Sequence, residues 1–423
     1  MIKTPRGTKD ILPNEFYKWH FLEKKFKEIT DLFSYQELRT PIFEMTEVFS
    51  RSIGETTDIV NKEMYTFNDR SETSLTLRPE MTAALVRSAI ENSLTNTGGV
   101  QRLWYFGPFF RYERPQKGRF RQFHQFGIEC LSSPLPESDV EVIYLADMLI
   151  KSIGINEYSL NINSIGNKNS RENYNKILVE FLNDNKDKLS ETSLERLDKN
   201  PLRILDSKAP NDIELLENAP KISDNLDNES LEHYSKVKDS LDYLGIKYSE
   251  NFKLVRGLDY YSHTVFEFQS NYLGAQDSFG GGGRYNELFS QLGGKDVPAV
   301  GFAMGVERLL LILDSINKFD DKLEQIDLYI VKATDREKEF YSLVKKLREQ
   351  NIKVSYDLLS RSVKSQFKEA DKMGAKKSIV LGDNEIEKGV ITLKDMTKGD
   401  QIEIALESLS KNDILNWKKK VTY

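Results

Sequence analysis

The chain has 423 residues, of which 39% are hydrophobic and 30% charged, so roughly two to four folded domains with real apolar cores are expected. One cysteine, Cys130, excludes an internal disulfide framework and a structural zinc site, and the four histidines are too scattered for a zinc motif. The net charge of −6 excludes a uniformly basic nucleic-acid coat, and no run of about 18 apolar residues implies a membrane span.

Residues 1–7 carry no apolar run of signal-peptide type, so a cytoplasmic location is expected. Residues 14–33 place Phe16, Trp19, Phe26, Ile29 and Phe33 on one helical stripe. Pro79 suits the first position of a helix, with Glu80 in its first turn and Thr82 beside it. Residues 100–112 and 119–130 read as two strands joined by a turn at Pro115 and Gly118. Composition changes near 167, and residues 167–250 read as a separate, mostly helical insertion. Strand-like sequence resumes at Phe252–Gly257 and runs to a helix at 305–316. A charged connector, 320–325, precedes a strand–helix rhythm: strands at 327–331, 352–356 and 378–382, helices at 335–350 and 362–373. That alternation predicts a small α/β domain with a partly parallel sheet over 326–423. Its 20 Lys and Arg against 16 Asp and Glu make it mildly basic on an acidic body, which permits contact with a polyanion. The chain therefore divides into 1–166, 167–250, 251–320 and 326–423.

No Gly-x-x-x-x-Gly-Lys phosphate loop, dinucleotide fingerprint or nucleophile elbow occurs, so nucleotide binding would need another architecture. The hairpin around 110–129 gathers Arg111, Arg114, Lys117, Arg119 and Arg121. Guanidinium forks match phosphate oxygens, so these cations suit a polyphosphate or a nucleic-acid end; the alternative is a solvated basic turn. Period-two alternation puts Phe123, Gln125, Gly127 and Glu129 on one face of the second strand. Gly127 then leaves a gap between an amide and a carboxylate, either a slot for a small polar ligand or an ordinary bulge. Leu254–Tyr261 combines Arg256 and Gly257 with Tyr260 and Tyr261, and Gly280–Gly283 follows. Four consecutive glycines fit close approach of a flat ligand or a flexible loop. Arg308 falls in a helix's first turn, where the dipole disfavours a cation unless an anion meets it.

Together these motifs closely resemble the bacterial-type histidyl-tRNA synthetases, class II aminoacyl-tRNA synthetases, over essentially the whole chain. Residues 39–67, Arg111–Glu129 and Gly301–Arg308 look like the three class II motifs; Leu254–Tyr261 and Gly281–Tyr285 look like the histidine-specific ones. The resemblance implies an α+β catalytic domain whose antiparallel sheet is flanked by helices, a helical insertion, and a C-terminal α/β anticodon-binding domain. It implies ATP-dependent activation of L-histidine and transfer to tRNA(His) by a homodimer, with Mg²⁺ on the ATP phosphates and no protein metal cage. By resemblance Arg111 and Arg256 flank the α-phosphate, Arg308 meets the γ-phosphate and Arg119 also binds ATP. Glu129 and Tyr261 address the imidazole; Glu80, Thr82 and Gln125 hold the α-amino group; Met81 and Tyr260 line the pocket. Arg114 and Gln116 reach the tRNA acceptor end. A paralogous regulatory subunit of ATP phosphoribosyltransferase is the alternative, but it typically lacks the C-terminal domain and degrades the Arg-Gly-Leu-Asp-Tyr-Tyr motif. This chain has both.

Overall fold

The computed structural model describes residues 2–54, 57–274, 277–319, 326–407 and 409–416. The charged connector 320–325 and residues 417–423 of the tail lie outside the described residues. The chain forms two compact units, Met1–Asp320 and Asp321–Tyr423.

In the first unit the aromatic and β-branched runs pair into a mixed sheet of eight strands among the described residues. In spatial order these are Gln36–Glu37, Gln101–Phe110, Gln122–Leu131, Ala299–Gly305, Ser278–Arg284, Ser262–Gln269, Ser159–Ser164 and Ser249–Glu250. The six inner strands pair antiparallel; the two-residue edge strands pair parallel. Short edges leave little ladder exposed for unwanted pairing. The alternation seen in the sequence sorts the faces. Phe126, Ile128 and Cys130 enter a core with Phe302, Met304, Phe266 and Phe268. Covering that face are residues of the helices Phe16–Leu32, Pro136–Ile153, Asn228–Tyr243 and Val306–Ser315. Tyr105, Phe109, Val265 and Tyr285 enter a second core, covered by the helix Thr82–Glu91 and by Tyr174, Leu178, Ile204 and Leu205 of the 167–250 stretch. That stretch is helical, but its apolar residues complete these two shared cores.

Three local expectations differ from the structure. The helix after Pro79 begins at Thr82, because the Glu80 carboxylate turns back and accepts the N–H groups of Thr82 and Ala83 at 2.7 and 2.9 Å. Residues 251–261 are not a strand; regular pairing resumes at Ser262. Gly280–Gly283 is no loop but part of the inner strand Ser278–Arg284.

The second unit is a five-stranded sheet among the described residues, in the order Val354–Tyr356, Leu328–Ala333, Lys377–Gly382, Val390–Asp395, Gln401–Ala405. The first three strands are parallel and the last two antiparallel. Helix Glu337–Glu349 places Phe340, Leu343, Val344 and Leu347 in a core with Leu328, Ile330, Ile379 and Leu381. The closing antiparallel hairpin, Val390–Asp395 with Gln401–Ala405, has no counterpart in the sequence reading.

Candidate active site

The sheet face that carries Gln125 and Glu129 encloses a cavity of about 150 Å³. Glu80, Met81, Thr82, Gln125, Glu129, Tyr260 and Tyr261 all line it, with Arg111 and Arg256 at its mouth. The Glu129 carboxylate is 1% exposed and accepts hydrogen bonds from the Thr82 hydroxyl at 2.8 Å and the Tyr285 hydroxyl at 2.5 Å. Burial pushes its carboxyl up to about 8, against the lowering pull of those two donors. Burial also raises Glu80, although two backbone N–H groups hold its carboxylate. Gln125 Oε1 is buried and has no hydrogen-bond partner among the described residues. In a polar cavity such an acceptor is available to a donor that arrives with a ligand.

Two lining residues had no role assigned to them in the sequence reading, although Tyr285 ends the Gly281–Tyr285 motif. Tyr285 stands at the end of the glycine-rich strand, and only the lateral pairing through Ala299–Gly305 brings it to Glu129. Tyr105 lies opposite Gly127, and its hydroxyl occupies the space a side chain there would need. The gap expected at Gly127 is therefore filled, and the open volume lies at Gln125 and Glu129 instead. Gly301 pairs directly with Glu129, and a Cβ at that position would collide with the Glu129 carboxylate. Bare backbone there gives the buried acid its room.

The inner cavity adjoins a cleft of about 360 Å³, with Arg111, Gln125, Arg256, Gly281 and Ala303 lining both. Arg111, Arg119, Arg256 and Arg308 all line this cleft. Arg111 donates from Nε to the Pro79 carbonyl at 2.9 Å and lies over the Phe123 ring at 5.4 Å. Arg119 pairs with Glu113 at 3.0 Å. Arg256 bonds to Glu267 through Nη1, while its buried Nε has no partner among the described residues. A side chain at Gly281 would press on that guanidinium, so the glycine strand supplies the floor on which Arg256 lies. Arg308 sits in the first turn of Val306–Ser315, its guanidinium held below its ordinary value by burial and by the nearby charge of Arg119. Its neighbour Glu307 accepts the His124 backbone N–H at 2.9 Å, tying the helix start to the sheet. So many cations converging on one cleft suit a polyphosphate.

Arg114 and Gln116 are exposed in the hairpin turn and line neither cavity, although Gln116 bridges to Arg119. Among the described residues no group of three or more metal-ligating side chains is clustered.

Comparison with known proteins agrees with this arrangement. Residues 7–309 match a family model described as histidyl-tRNA synthetase, and residues 326–413 match one described as an anticodon binding domain. A histidine–tRNA ligase of Acetivibrio thermocellus is 46% identical over 97% of this chain and 98% of its own length. One from Clostridium kluyveri is 48% identical over 97% and 98%. Among solved structures, an apo histidyl-tRNA synthetase of S. aureus superposes with a TM-score of 0.81 at 39% identity, covering 96% of this chain and 98% of that one.

Proposed function

Because the chain belongs to the histidyl-tRNA synthetase family, we propose that its two adjoining cavities carry out histidine activation and hand the product to tRNA(His). The reaction joins L-histidine and ATP into histidyl-adenylate with loss of pyrophosphate, then transfers the histidyl group to the tRNA 3′ end. The observation that carries this reading is the adjacency of a small, buried, polar cavity and an arginine-lined cleft that share five lining residues.

Histidine fits the inner cavity. Glu129 and Tyr261 face the imidazole nitrogens, one a donor and one an acceptor in the neutral ring. Glu80, Thr82 and Gln125 take the α-amino group; each Glu80 oxygen keeps a lone pair beyond its helix N–H bond. Met81 and Tyr260 form walls. A cavity whose hydrogen bonds are left unmade by other side chains discriminates strongly without editing. In the cleft, the ionised histidine carboxylate attacks the α-phosphorus and pyrophosphate departs in line. No protein nucleophile is needed. Arg111 and Arg256 stabilise charge building on the α-phosphate, while Arg308 and Arg119 hold the outer phosphates.

Mg²⁺ would enter with ATP on the β- and γ-phosphates and keep several waters. Glu113 and Glu267 rim the cleft but each is engaged by an arginine, so they fit a direct cage poorly, and no step here runs through the ion. The basic tail unit takes the anticodon stem, and the exposed Arg114 and Gln116 take the acceptor end. A second copy of the chain fits the apolar patch of Phe43, Met45 and Phe67, each between 45% and 50% exposed. The expected location is the cytoplasm, where charged tRNA is used; among the described residues no helix is long and apolar enough to cross a membrane.

ATP–pyrophosphate exchange with each amino acid in turn tests the reading. Exchange with histidine alone is expected. Absence of histidine-dependent exchange would remove it, and would leave the non-catalytic regulatory-subunit alternative standing.

A further inference from the structure

The segment 251–261 carries Arg256, Tyr260 and Tyr261, yet it belongs to no strand or helix. Irregular backbone has no ladder to satisfy its polar groups, so other parts of the chain must hold it in place. Three side chains of the 167–250 stretch do so. Arg203 donates from Nη1 to the Arg256 carbonyl at 3.0 Å. Asn200 donates to the Asp259 carboxylate at 2.9 Å. Arg171 donates from Nη1 to the Tyr261 carbonyl at 2.6 Å and reaches Glu287 at 3.5 Å. The three grips thus fall at 256, 259 and 261, bracketing every functional side chain of the segment.

Between the stretch and the segment lies a cavity of about 270 Å³, lined by Arg171, Asn200, Arg203, Arg256 and Tyr261 among others. Leu254, Tyr260 and Tyr261 pack in a shared core and Asn163 holds the carbonyls of Phe252 and Leu254, so the three grips add to that packing where the cavity leaves the Arg256 backbone without close neighbours on one side. Arg203 also lines the arginine cleft, on the same side as Arg256. Its anchorage is firm on the stretch's side: Ile204 and Leu205 are buried in the core that also holds Leu254, Tyr260 and Tyr261.

We propose that Arg203, with Asn200 and Arg171, is a positioning residue: these side chains clasp the 256–261 segment so that the Arg256 guanidinium is aimed into the cleft, making activation depend on how the helical stretch is docked. Arg203 acts through Arg256, and the inference rests on the reading of Arg256 as the arginine of the α-phosphate. A misplacement of about 1 Å in such a group can lower a rate about a hundredfold. The helical stretch therefore does more than extend the fold; its seating sets whether the catalytic arginine is in reach.

The test is a double-mutant cycle between Arg203→Ala and Arg256→Lys, read by histidine-dependent ATP–pyrophosphate exchange on the full-length protein together with thermal melting. Arg203→Ala is expected to lower kcat at least about tenfold, with KM for histidine within about twofold of the parent and an unchanged melting temperature. Added to Arg256→Lys, it is expected to cost little more, because groups acting through one another are not additive. Arg203→Lys, which keeps a donor and a charge, is expected to be intermediate, and it carries the cycle if Arg203→Ala does not fold. Equal losses in both backgrounds, or a kcat loss that only tracks a lowered melting temperature, would overturn the proposal. Failure of the parent protein to exchange with histidine would instead strike the functional reading itself.

Discussion

The Tyr285 hydroxyl donates to the Glu129 carboxylate at 2.5 Å, although the two residues are 156 positions apart in the chain. The contact sits in a cavity where Glu129 is almost wholly buried, so the tyrosine both orients the acid and offsets part of its desolvation. Tyr285→Phe removes that donor and little volume. We expect KM for histidine to rise about tenfold, as for the loss of one buried hydrogen bond that orients the acid, with KM for ATP within about twofold. Parallel losses for both substrates would show that Tyr285 supports the sheet and not the histidine pocket.

Glu129 titrates near 8 instead of the usual 4.5 because it is buried. Between those two values the unfolded chain releases this proton and the folded chain keeps it. Stability therefore falls as pH rises from about 4.5 to about 8, then flattens. Glu129→Gln removes this contribution. Its melting temperature relative to the parent should climb across that window, while its affinity for histidine drops far more than its affinity for ATP. A melting difference independent of pH would contradict the raised value.

Arg256→Ala should lower histidine-dependent exchange by about a hundredfold or more, since in the proposed reading it removes a preorganised charge beside the reacting phosphate. Circular dichroism should show the fold intact. A fall of less than about tenfold would take Arg256 out of the reaction.

Removal of residues 326–423 should leave much of adenylate formation in place and cripple charging of tRNA. The second unit has its own core, built on Leu328, Ile330, Leu343 and Ile379, so its loss need not unfold the first. Its basic balance predicts that tRNA affinity of the full chain weakens with rising salt. Full charging by the shortened protein would assign tRNA binding elsewhere.

Double substitution of Arg114 and Gln116 by alanine should leave exchange near normal and slow transfer to tRNA. Both side chains are exposed in the hairpin turn, outside the two cavities. In the proposed reading they meet the tRNA acceptor end, where an arginine fork and an amide can each pair with base edges or phosphates. Slowing of exchange and of transfer by the same factor would end this assignment.

The sequence by itself determined which residues face which side of the strand Gln122–Leu131. Alternation through Gln125, Gly127 and Glu129 already separated the polar face from Phe126, Ile128 and Cys130, because a strand's side chains alternate whatever its neighbours are. Helical spacing likewise located Phe16–Leu32 and the rhythm of the tail. Tertiary structure alone decided what meets across that face. Tyr285 reaches Glu129 only through lateral pairing, and Tyr105 fills the gap at Gly127 only because Gln101–Phe110 pairs in that register. The helix start moved past Pro79 because a side chain, Glu80, competed for its N–H groups. The irregular path of 251–261 is held by Arg171, Asn200 and Arg203 from a distant part of the chain. Periodicity reports local geometry, whereas these contacts are set by register and by long-range hydrogen bonds, which no local pattern encodes.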